Sequence, residues 1–128
     1  MSVKSEMIMA PVSGKCVDIK EVPDKMFAEK IMGEGVAFRY DGDVIYSPCN
    51  GTIAVIAETK HAIGIKSENG VELLIHVGVE TVSLKGDGFE ALVQQDEKVE
   101  IGTPILKIDR KFMSDKNIDL ITPMVICL

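Results

Sequence analysis

Val71, Leu73, Ile75, Val77 and Val79 occupy every second position of the segment Gly70-Val-Glu-Leu-Leu-Ile-His-Val-Gly-Val-Glu-Thr81. A helix turns by about 100° per residue and would scatter that set around its axis, whereas a strand aligns alternate side chains on one face. The spacing predicts a β-strand over 71–79 with the five apolar residues buried. Glu72, Leu74, His76, Gly78 and Glu80 then share the opposite face. Such a strand needs neighbours on its edges and a second layer over its apolar side.

The rest of the chain supplies candidates for both. Gly33-Glu-Gly35, Asp41-Gly-Asp43, Glu68-Asn-Gly70, Lys85-Gly-Asp-Gly88 and Ile101-Gly-Thr-Pro104 read as turns. Between them, 53–57, 62–66 and 105–108 favour strands. Helix is confined to short pieces, one of about two turns over 23–31 ended by Gly33 and one over 112–120 with Ser114 or Asp115 as cap. An internal echo is present: Pro11-Val-Ser-Gly14 and Pro48-Cys-Asn-Gly51 each lead into a β-rich run, as duplicated hairpins would. Ile121-Thr-Pro123 is a weaker third copy without the glycine. Aromatic residues make up only 5% of the 128 residues, so aliphatic side chains must fill the core. The expectation is one domain over 1–128, all-β, an antiparallel sandwich or barrel-like fold with duplicated hairpin motifs and short helical turns.

The formal net charge of −6 and the lack of any Lys/Arg-rich run argue against nucleic acid, which demands a basic footprint. An acidic surface can instead steer a basic protein partner. Apolar runs such as Leu73-Leu-Ile75 are far short of the roughly 20 residues of a membrane span. The N-terminal stretch lacks the apolar core of a signal peptide. Cys16, Cys49 and Cys127 form no paired motif, which fits reduced thiols in a cytoplasmic protein.

Two histidines are present, His61 and His76. On pattern alone His76 reads first as an ordinary surface residue, and second as a working one in a small apolar clearing between Leu74 and Gly78. His61 shares parity with Ile63 and Ile65, which makes it core-facing unless a turn at Thr59-Lys60 ends that register. A hairpin about Asn69 would make the two histidines neighbours. The sequence has no GxSxG elbow, no GxxxxGK[ST] loop, no protein-kinase signature, no HExxH and no paired-cysteine spacing. A histidine nucleophile accepting a phosphoryl group needs none of these. A neutral imidazole attacks in line, while a second His, a Thr hydroxyl and backbone amides stabilise the oxygens.

At this point the chain closely resembles the glucose-type enzyme IIA domain of the bacterial phosphoenolpyruvate-dependent sugar phosphotransferase system. The family signature runs through Gly70-Val-Glu-Leu-Leu-Ile-His76-Val-Gly78-Val-Glu-Thr81-Val82, and 10–14, 22–30, 33–37, 58–62, 84–89 and 121–125 agree as well. The resemblance implies a β-sandwich and a phosphocarrier with a phosphohistidine intermediate. His76 would take its phosphoryl group from HPr and pass it to a cysteine of the enzyme IIB domain. It further implies that His61 helps stabilise and transfer the group, that Thr59 supports His61, and that the Gly78 carbonyl sets the tautomer of His76. Phe27 and Leu74 match apolar positions where partners dock. No cofactor is required, although His61 and His76 could share a zinc ion with a regulated partner's carboxylate. The protein is expected to be a monomer, with sugar choice left to the membrane components.

The chain departs from the family in stopping at Leu128, where relatives continue through a further short helix and strand. That leads to the expectation of a shortened C-terminus or a fold that closes differently. The long N-terminal tail of some members is missing. Ala57 and Lys25 replace bulkier apolar residues found near the site in some relatives. A regulatory binding module without phosphotransfer is the chief alternative. A biotinyl- or lipoyl-like carrier lacks its methionine-flanked lysine, and a related zinc hydrolase lacks its HxH pair.

Overall fold

A computed structural model describes residues 7–127; the chain end at Leu128 and the first six residues, where a leader was sought, lie outside them. The strands, in chain order, are β1 (Gly14–Asp18), β2 (Glu34–Tyr40), β3 (Val44–Tyr46), β4 (Gly51–Ile56), β5 (Ala62–Ser67), β6 (Glu72–His76), β7 (Phe89–Ala91), β8 (Lys98–Val99), β9 (Pro104–Ile108) and β10 (Thr122–Cys127). Among the described residues, helix is limited to α1 (Lys25–Ala28), α2 (Arg110–Asp115) and two 3-10 turns. A seven-stranded sheet runs β1-β2-β10-β6-β5-β4-β8, and a three-stranded sheet runs β3-β9-β7. Every pairing is antiparallel. The all-β sandwich reading therefore holds.

The alternating set in β6 explains how the layers stack. Leu73 and Ile75, with Val77 just beyond the strand, are at most 2% exposed. They join Phe38, Ile53, Ile63 and Ile65 of the large sheet with Ile45, Phe89, Ile105 and Ile108 of the elements around the small one. The sequence pattern differs from the outcome on the other face. That face is not open: Val17, Ile19, Val22, Phe27, Ala37, Ile121 and Val125 form a second apolar cluster there, and Leu74 and Val79 pack against it. The cover comes from the chain between β1 and β2, which α1 folds back over the sheet.

The echo has a steric basis. Gly14 opens the β1–β2 hairpin opposite Tyr40, and Gly51 opens the β4–β5 hairpin opposite Ser67. A Cβ at either position would collide with a carbonyl of the partner strand, Arg39 or Lys66. The third copy becomes β10, which inserts between β2 and β6.

Boundaries shift where turns intervene. The strand expected over 71–79 ends at His76, because Gly78 adopts φ +83° and breaks the pleat. The first helix is a single turn capped by the Asp24 carboxylate on the Met26 amide, and it ends well before Gly33. The second begins at Arg110 with Asp109 as its cap, not Ser114 or Asp115. β2, β3, β7 and β8 carried no strand signal strong enough to single them out. Leu73→Ala should cost about 2–5 kcal/mol of stability, read by urea unfolding, because Leu73 fills the core between the sheets.

Candidate active site

His76 and His61 meet at the end of the β5–β6 hairpin. The ladder pairs Ala62 with His76, and one step on the Val77 amide donates to the His61 carbonyl at 2.7 Å. In a regular ladder a residue opposite Val77 would point into the core beside it. The turn before β5 prevents this. Lys60 adopts φ +58° and donates its amide to the Ala57 carbonyl, so the pleat breaks just before His61. The imidazole swings to the outer side, and the two rings lie edge to face with centroids 4.8 Å apart. The turn that the sequence left as an alternative is thus the one adopted.

The same turn carries Thr59, whose hydroxyl lies 2.5 Å from His61 Nδ1. Phe27, presented by α1, places its ring 4.9 Å from that of His76. At 3% exposure Phe27 walls the imidazole and offers little surface to an incoming protein. Leu74 is half-buried beside it on β6. Apolar surface open to solvent belongs to residues that sequence reasoning did not single out. Met26 neighbours Phe27 on α1, Val55 sits across Gly64 from Leu74, and Val82 follows the His76 turn; all three are exposed.

Burial dominates the electrostatics. His76 has its pKa pushed down to about 4, chiefly by desolvation and next by the His61 ring; the Gly78 backbone and the Asp24 carboxylate oppose the shift. A backbone influence of that sign is that of an acceptor, the Gly78 carbonyl, although no group meets His76 Nδ1 in good hydrogen-bond geometry. Nδ1 is buried, which leaves Nε2 as the nitrogen available to a reactant. His61 is also shifted down by desolvation. Both rings are therefore neutral near pH 7, and a neutral imidazole retains the lone pair a nucleophile needs.

The turn after His76 is held from two sides. The Thr81 hydroxyl, fully buried, donates to the Val77 carbonyl at 2.6 Å. The Gly78 and Val79 amides donate to the carbonyls of Ile121 (3.1 Å) and Asp119 (2.9 Å). A side chain at Gly78 would strike the Thr81 methyl 2.6 Å away, so glycine is required on steric as well as conformational grounds. Asp24 and Asp119 were not picked out from the sequence, and Thr81 entered only as a position of the family signature; Asp24 had a local signal, as the residue after Pro23 at a helix start. Among the described residues no group of three or more His, Cys, Asp or Glu is placed to hold a metal ion, and no helix is long and apolar enough to cross a membrane.

Residues 6–128 match the family model described as phosphoenolpyruvate-dependent sugar phosphotransferase system, EIIA 1. The chain belongs to this EIIA family. It is 44% identical over 120 residues to the glucoside-specific EIICBA component of a phosphotransferase system in Staphylococcus carnosus, covering 94% of this chain and 17% of that one. It is 42% identical over 120 residues to the glucose-specific EIICBA component of the same organism, covering 94% of this chain and 18% of the relative. The chain thus spans under a fifth of the length of these relatives. In structure, the glucose permease IIA from Mycoplasma capricolum superposes with a TM-score of 0.87 at 35% identity, over 93% of this chain and 77% of that one. The shared EIIA sandwich is the framework on which the two histidines stand.

Proton linkage provides a check on burial in this EIIA chain. Unfolded, His76 titrates near 6.5; folded, near 4. The unfolded state then binds more protons within that window, so stability should rise with pH from about 4 to about 6.5 and level off above it. NMR titration should find His76 still neutral at pH 5.5, and His76→Gln should flatten the pH dependence of stability in that window.

Proposed function

We propose that this EIIA chain is a phosphocarrier that receives a phosphoryl group from phospho-HPr on His76 Nε2 and delivers it to a cysteine of an enzyme IIB domain. The observation that carries this reading is a half-buried, neutral His76 with Nδ1 covered and a second imidazole edge-on at 4.8 Å. In the first step the Nε2 lone pair attacks phosphorus in line as the P–N bond of the donor phosphohistidine breaks, and the donor nitrogen leaves with the electron pair. In the second a thiolate attacks the same phosphorus, and the His76–phosphorus bond returns its electrons to the imidazole. No redox equivalent is consumed.

The neighbours divide the remaining work. A Thr59 hydroxyl donating to His61 Nδ1 puts the His61 proton on Nε2, where it can bond a phosphoryl oxygen. The Gly78 carbonyl favours a proton on His76 Nδ1 and so keeps Nε2 unprotonated. Exclusion of water by Phe27 and Leu74 strengthens these contacts. Docking surface comes from Leu74 together with the exposed Met26, Val55 and Val82, while Phe27 acts from behind the ring. The protein works as a cytoplasmic monomer between a soluble donor and a membrane-associated acceptor. If a regulated partner brings a carboxylate, His61 and His76 would be the two ligands this chain offers to a shared zinc ion.

Incubation with phosphoenolpyruvate, enzyme I and HPr should add one acid-labile phosphoryl group. Full labelling of His76→Ala would refute the assignment. His61→Gln should still accept phosphate but slow onward transfer to enzyme IIB by on the order of 10²-fold, the usual cost of losing a donor to a developing anion. An unchanged transfer rate would remove His61 from the mechanism.

A further inference from the structure

We propose that Asp119 is a positioning residue that holds the Gly78–Val79 turn, and through it selects the tautomer of His76. The inference rests on His76 being the phosphoryl acceptor. The ladder between β10 and β6 runs from Cys127↔Glu72 to Met124↔Ile75 and stops there. Beyond it, the backbone after His76 has no strand neighbour on that side. The chain before β10 takes over: the Ile121 carbonyl receives the Gly78 amide and the Asp119 carbonyl receives the Val79 amide. Two successive amides of the turn are thus gripped by two carbonyls only two residues apart.

Those carbonyls are aimed by one side chain. Asp119 Oδ1 accepts the Ile121 amide at 2.9 Å, closing a local turn across Leu120. The Asp119 carbonyl also lies 3.2 Å from the place a Gly78 Cβ would occupy, so it forms the floor of the turn. With the Thr81 hydroxyl on the Val77 carbonyl, the peptides from 77 to 79 are held on both sides. The Gly78 carbonyl belongs to that unit, two residues along from His76, whose buried Nδ1 meets no partner in good hydrogen-bond geometry. Small shifts of the turn therefore decide how far that carbonyl favours a proton on Nδ1. Arg39 reaches the same Oδ1 at 3.3 Å, but both partners of that pair are well exposed, 48% and 38%. An ion pair so open to water contributes little. The acceptor oxygen, not the charge, is what the turn needs.

Substitutions separate the two roles. Asp119→Asn keeps an oxygen for the Ile121 amide and loses the charge. Asp119→Glu keeps the charge but its longer arm overshoots the amide, and Asp119→Ala loses both. Arg39→Gln removes the ion pair alone. The readouts are the His76 ring tautomer by ¹⁵N NMR in the unphosphorylated protein and the rate of phosphorylation by phospho-HPr. For Asp119→Ala and Asp119→Glu the tautomer should pass from predominantly Nδ1–H to a mixture, with His61 unchanged, and the rate should fall about tenfold, the scale of one lost hydrogen bond. Asp119→Asn and Arg39→Gln should match the parent. A parental tautomer and rate in Asp119→Glu would overturn the proposal, as would Asp119→Asn behaving like Asp119→Glu. Should Asp119→Ala not fold, the Glu and Asn pair decides. Failure of the parent itself to accept phosphate would sink the phosphocarrier reading instead, and the tautomer measurement would still judge Asp119.

Discussion

Leu73, Ile75 and Val77 are held almost entirely out of water between the two sheets, and β6 cannot slip by one residue without taking all of them out of that layer at once. That constraint sets the face, the height and the direction of His76. Its neighbours inherit the same precision, because β5 is locked to β6 in register and delivers His61 to the position beside it. A side chain that has to be presented in one geometry gains from sitting on a strand paired on both sides.

The second constraint is the layer over the outer face. Without the chain that folds back through α1, His76 would be a solvated residue with an ordinary pKa. Under Phe27 and beside Leu74 it loses water, its charged form is disfavoured, and it stays neutral where a solvated imidazole would be partly protonated. The cost is a buried Nδ1 that no partner meets in good geometry. The turn at Gly78 lies beside this defect and is held by hydrogen bonds from distant parts of the chain.

Much of this was legible from the residues. Period-two alternation identified β6 and its buried face, and the Glu68-Asn-Gly70 turn implied the hairpin with β5. The proline and glycine echo marked the two hairpins that begin with β1 and β4, and the steric crowding at Gly14 and Gly51 shows why glycine recurs. Other features left weaker traces. The α2 cap was placed too late because Ser114 and Asp115 are good capping residues in isolation, whereas Asp109 wins by following directly on β9. Phe27 lies on a one-turn helix too short to show periodicity, so its burial against His76 could not be read from spacing.

The sequence by itself determined the strand, its inward face and the hairpin that pairs the histidines, since these rest on local periodicity and turn chemistry, and it carried the family signature as a resemblance. Only the tertiary structure decided that the outer face is covered, that His61 swings outward past a broken pleat, and that Asp119 and Ile121 grip the turn beyond His76. Each of those depends on segments distant in the chain meeting in space. Desolvation in particular is a property of what surrounds a side chain, and no pattern within one strand encodes it.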